Sequence, residues 1–180
     1  MLYLSGELAH KDGVLRIAYR VRNAGADVAY VSAVPIDNAR KPYPGSAYAA
    51  LTPDGLGLRL VLGLSEVPTD CNVSFRAGAL AVALPPDRET SGEIRLPTPV
   101  REWNAYYPPD HPAEGWELAA AYRVVLVVEA VLSPSARFAD AVADQPDLWR
   151  VGGTRTRLEK AFVPDARIPV LKRPGAFPRV

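Results

Sequence analysis

Leucine occupies every second position from Leu56 to Leu64, with Gly57, Arg59, Val61 and Gly63 between. Side chains two apart share a face in a strand, whereas in a helix they are spread around the axis. Five leucines in this register therefore demand a strand over Leu56–Leu64 with one face in a core. The stretch Tyr122–Leu132 makes the same demand. It is rich in valine, whose branched Cβ fits a pleated surface. Tyr122, Val124, Leu126, Val128, Ala130 and Leu132 form a fully apolar face; Arg123, Val125, Val127, Glu129 and Val131 form the other. This reads as the long central strand of an antiparallel sheet. A membrane-spanning helix needs about 20 apolar residues, and this run is shorter and carries two charges.

Other strands follow from alternation and from turn chemistry. Leu2–His10 and Val14–Arg22 flank the turn Lys11-Asp-Gly13, and Leu15, Ile17, Tyr19 and Val21 share a face. Val28–Val34 follows the connection Asn23–Asp27. Tyr48–Leu51 precedes Thr52-Pro-Asp-Gly55, where proline presets φ and glycine accepts a positive one. Val73–Phe75, Ala79–Leu84, Gly92–Val100 and Thr154–Phe162 complete the set, Gly152-Gly153 being read as a chain break. Pro97 and Pro99 predict an edge strand, or a strand end, because proline donates no ladder bond. Ser133–Val142 is the one predicted helix, with Ser133 as N-cap and Pro134 in its first turn. It is one candidate cover for Val125, Val127 and Val131; a second copy of the chain is the other.

This pattern predicts an all-β fold: an antiparallel, immunoglobulin-like β-sandwich with one short helix. The sandwich spans residues 1–163, and 164–180 form an extended C-terminal tail. The segment Val14–Arg22, Asn23-Ala-Gly-Ala-Asp27, Val28–Val34 resembles the second-to-third strand region of bacterial immunoglobulin-like domains. Gly92–Val100, before an aromatic loop, is similar to segments of small bacterial sandwich proteins. The resemblance implies a fold and no activity. The antibody-type Cys–Trp–Cys arrangement cannot form, since Cys71 is the single cysteine.

With 180 residues the chain suits one domain able to bury a core without disulfides. A net charge of +1 argues against a non-specific nucleic-acid binder. The N-terminal stretch lacks the basic and apolar regions of a secretory signal, so a cytoplasmic location is expected and the sequon Asn72-Val-Ser74 carries no meaning.

No catalytic constellation emerges. Cys71 has no neighbouring histidine and no Gly-x-Ser-x-Gly elbow occurs. Asp110-His111 with Glu114 and Glu117 matches no zinc spacing. Asp87, Glu89, Glu93 and Glu102 could pair for glycoside hydrolysis, but a solvated turn explains them as simply. The expectation is a non-enzyme with no cofactor and no metal. The strongest functional signal is the loop 103–116, where Trp103, Tyr106, Tyr107 and Trp116 stand among prolines and carboxylates. Such rings either plug the end of the sandwich or present flat apolar area to a partner or a sugar. The expected role is contact with another protein or with a second copy; the alternative is a carbohydrate- or small-ligand-binding module.

Overall fold

A computed structural model describes residues 1–68, 72–73, 76–107, 109–110 and 115–174. Among these the chain is all strand: β1 (Leu2–Lys11), β2 (Val14–Asn23), β3 (Ala29–Val34), β4 (Tyr48–Leu51), β5 (Gly57–Leu62), β6 (Leu80–Leu84), β7 (Glu89–Pro97), β8 (Val100–Arg101), β9 (Glu117–Ala121), β10 (Arg123–Val142), β11 (Gln145–Phe162) and β12 (Ile168–Lys172). They form a three-stranded sheet β1-β2-β7, a six-stranded sheet β11-β6-β3-β10-β5-β4, and a small sheet β8-β12-β9.

The local signals act as expected. Asp12 and Gly13 both take positive φ, 52° and 74°, the pair that joins β1 to β2 in a tight hairpin with Lys11 opposite Val14. In β2, Leu15, Ile17, Tyr19 and Val21 are buried and the intervening residues exposed. Leu58, Leu60 and Leu62 of β5 and Val124, Leu126, Val128 and Ala130 of β10 have no exposed surface. Together with Ile94 and Leu96 of β7 and Ile168 and Val170 of β12 they make one core shared by all three sheets. β7 ends at Pro97 and lies at a sheet edge, as its prolines require.

Two expectations are corrected. The first is the helix over Ser133–Val142: these residues continue β10, which runs for 20 residues against the 18 of β11. The ladder is interrupted between the pairs Val131–Arg155 and Ala136–Gly153. Pro134 falls in this unpaired gap, where no ladder bond is lost. Gly153, at φ 152°, sits against the Ser135 carbonyl in a conformation other residues rarely adopt. The local cap-like pattern is thus overridden by pairing with Gln145–Gly153, so β11 passes through the expected break at Gly152-Gly153. The second is the all-antiparallel sheet. β5 runs parallel to β10, Gly57–Leu62 beside Arg123–Val128, and β12 runs parallel to β8. A parallel pair needs a long crossover, and 60 residues separate the two partners in the first case.

Two of the three valines of the second face are covered within one chain, and Val125 is half-buried. Val127 and Val131 are buried. Val131 lies against the bend at Gly153, and the segment Gly63–Leu64 crosses over Glu129, whose carboxylate accepts the Leu64 N–H at 2.8 Å. Beyond the bend, Leu148 and Trp149 of β11 pair with β6, and Trp149 packs on Tyr30 with ring centroids 5.5 Å apart. Strands β10, β3, β6 and β11 thereby close into a ring. The C-terminal segment, expected as a surface tail, contributes β12, with Ile168 and Val170 fully buried between β8 and β9.

Candidate functional site

The site is a cleft of about 470 Å³ between the rims of two sheets. One wall is β4 and the turn Thr52–Gly55; the other is Glu117–Ala119 of β9 with Lys172 and Arg173; Arg59, Val61 and Trp103 lie between them. Consecutive residues in a strand point to opposite faces. A cleft lined by three in a row on β9, and by four in a row on β4, is therefore met edge-on by both strands. Each is the terminal strand of its sheet.

Glu102 joins the two rims. It is 5% exposed, and its carboxylate accepts the Leu51 N–H at 2.5 Å from the β4 side and the Arg173 N–H at 2.9 Å from the β12 side. Its own N–H donates to the Leu171 carbonyl at 3.0 Å. One side chain thus takes the place of a missing strand between two edges. Trp103 follows at once. Its backbone exchanges two hydrogen bonds with Ala49, 2.8 and 3.0 Å, and its ring meets Tyr48 and Tyr43 at centroid distances of 5.0 and 5.2 Å.

The aromatic loop is divided by the structure. Trp103 and Tyr106 are buried, and the Tyr106 hydroxyl accepts the Ala77 N–H at 3.2 Å. Tyr107 and Trp116 are half-buried, under the guanidinium groups of Arg173 (3.7 Å from the ring centroid) and Arg101 (5.9 Å). Of the four aromatics only Trp103 lines the cleft. The Trp103 Nε1 and the Asn104 Nδ2 are buried donors with no hydrogen-bond partner among the described residues, and both residues line the cleft. A buried donor left unmatched costs about 1–3 kcal/mol, so such pairs call for an acceptor.

Four carboxylates line the cleft, and each is engaged. Glu66 meets Arg59 at 3.0 Å, and Glu117 meets Lys172 at 3.4 Å. Glu102 holds the two backbone donors. Asp54 accepts from the Thr52 hydroxyl, the Leu56 N–H and Arg123, and these bonds, the hydroxyl first, lower its pKa to about 2. Because the fold favours its ionised form, its contribution to stability is complete above the ordinary value of 3.8 and is lost as pH falls through about 2. A carbon-detected NMR titration of Asp54 is expected to give a midpoint near 2; a midpoint at 3.8 would mean that the turn is not clamped in solution.

Other residues singled out from the sequence lie elsewhere. Glu89 and Glu93 sit on the outer face of β7, paired with Arg20 and with Arg16 and Arg95. Asp87 occupies the preceding turn with φ 58°. Asp110 bonds Lys41 and Tyr43. His10 bonds Thr98, and no metal-binding cluster occurs among the described residues. Cys71, His111 and Glu114 lie outside the described residues. Sequence reasoning missed the turn Thr52–Gly55, β9 and the Lys172-Arg173 pair as cleft walls. The one available signal was Glu102, a carboxylate directly before Trp103. No family model matches the chain, and no curated protein or solved structure matches it. No helix among the described residues is long and apolar enough to cross a membrane.

Proposed function

We propose that this is a non-catalytic binding protein, an immunoglobulin-like β-sandwich in its frame, that holds part of another protein in the cleft between β4 and β9. The observation that carries the reading is the outer edge of β9, open to the cleft where the β4 edge is taken up by Trp103 and Glu102, with Leu118 standing 72% exposed on its rim. Open strand edges are normally blunted by charge, proline or cover, because they pair with other chains. With Val127 and Val131 covered within the chain, that face gives no reason for a second copy, and the reading takes another protein as the partner.

A second reading, a small-ligand or carbohydrate site, is favoured by a volume within the usual range of about 300–1,000 Å³ for ligand pockets. The two are separated by presenting the full chain to a phage-displayed library of random decapeptides and to a glycan array. Ala50→Phe, which fills the cleft from β4, serves as control. Peptides retained by the native chain and lost with Ala50→Phe are expected. Glycans that behave in this way, with no peptide doing so, would replace the first reading by the second.

A further inference from the structure

We infer that the cleft binds its partner by strand addition: an extended, uncharged peptide segment pairs its backbone with the outer edge of β9. This rests on the reading of the cleft as a protein-binding site and names the mode.

Which backbone groups of β9 face outwards follows from its neighbours. In a strand, the N–H and C=O of one residue point to the same side. The Leu171 carbonyl accepts from Glu102, on the β8 side of β12. Leu171 is paired with Leu118 of β9, so this pair exchanges no bonds, and the N–H and C=O of Leu118 point away from β12. The next pair of the same parity is Pro169 with Ala120. Proline has no N–H to give, which fits the same assignment. The following residue of that parity, Tyr122, does donate outwards, to the Leu56 carbonyl at 2.8 Å. The outer edge of β9 is thus in use where it meets the β5 side. Leu118 and Ala120 together offer two N–H and two C=O groups with no partner among the described residues.

The occupant is a short segment and not a second copy. β9 is five residues long, which spans about 17 Å, whereas a standard interface draws about 20–30 residues from each side. The turn Thr52–Gly55 also stands in the opposite wall, and in a second copy the same turn flanks its own β9. A single extended chain needs only one strand spacing, about 4.8 Å, from β9. Ala119 leaves room for its side chains, and Val61, Leu51 and Trp103 give them an apolar floor.

The test uses the decapeptide most enriched on the native full chain. Leu118→Pro removes one outward N–H and leaves the bonds to β12 intact, since proline is tolerated on an outward edge. It is expected to weaken the peptide by about tenfold, as loss of one well-made backbone bond implies. Leu118→Ala, which keeps the backbone, measures the loss of the side chain alone, and the tenfold loss of Leu118→Pro is expected relative to it. In the native chain the peptide should slow hydrogen exchange at Leu118 and Ala120, and N-methylation of alternate peptide amides should abolish binding. These last two measurements decide the matter if Leu118→Pro does not fold. A peptide lost with Ala50→Phe that leaves exchange at Leu118 and Ala120 unchanged, and tolerates N-methylation, overturns strand addition while the cleft remains the binding site. Enrichment of no peptide, or only of peptides indifferent to Ala50→Phe, overturns the cleft reading and this inference with it.

Discussion

Replacing Glu102 with alanine is expected to destabilise the protein by about 2–4 kcal/mol, because two partly buried N–H groups lose a charged acceptor at about 1–2 kcal/mol each. The donors belong to Leu51 and Arg173, the ends of two different sheets, so the loss falls on the junction between them. For a chain of this size each kcal/mol lowers Tm by about 2–4 °C, which puts the fall at roughly 10 °C. Glu102→Gln keeps the shape and one acceptor oxygen but turns an NH₂ towards one donor. It is expected to cost about half as much. Calorimetry on both variants checks the account. A Glu102→Ala protein that melts with the native one would mean that β4 and the β12 end are held by other contacts. The variant also separates stability from binding. Hydrogen exchange at Leu51 and Arg173 should rise well before that of the β10 core, since the strands on either side of the junction keep their own ladders.

Leu60→Ala is expected to cost about 2–5 kcal/mol, as for other leucines truncated in a closed core. Leu60 is fully buried and lies opposite Leu126 of β10 and Ala49 of β4. The strands on both sides limit collapse around the cavity, which favours the upper part of that range. Its neighbour Arg59 points to the other face, where it meets Glu66 at 3.0 Å with about a fifth of its side chain exposed. Arg59→Ala should cost less than about 1 kcal/mol, in line with ion pairs open to solvent. Urea unfolding with a common slope gives both values. Similar losses at the two positions would contradict the burial pattern of β5.

The strands visible in the sequence are those whose signals are local. Leu56–Leu64 and Val14–Arg22 alternate with a period of two, and that period holds wherever the strand is placed. The turns at Asp12-Gly13 and Thr52–Gly55 depend on residues that accept positive φ or preset it, again a property of a few adjacent positions. The core therefore followed directly: Leu58, Leu60, Leu62, Leu126 and Val128 are buried as the pattern requires. Ser133–Val142 marks the limit of such signals. Ser-Pro followed by alanines suits a helix start, and only a partner strand, its paired residues 3–17 positions further on, makes it extended.

The cleft depended on tertiary structure almost entirely. Glu117–Ala121 has no alternation to read, because alanine is neither inside nor outside by nature, and Ile168–Lys172 looks like a tail until β8 and β9 flank it. The aromatic loop was visible as chemistry, but whether a ring is buried or presented depends on what packs against it. Trp103 went under Tyr43 and Tyr48, and Tyr107 under Arg173, through contacts between residues 55 to 66 positions apart in the chain. Glu102 could be named from the sequence as a carboxylate, yet its two donors come from 51 residues before it and 71 after. Side-chain periodicity and turn geometry are set by neighbours along the chain and determine which segments are strands. Which edges meet, and which are left open to bind, is decided by pairings between distant strands, and no local pattern encodes those.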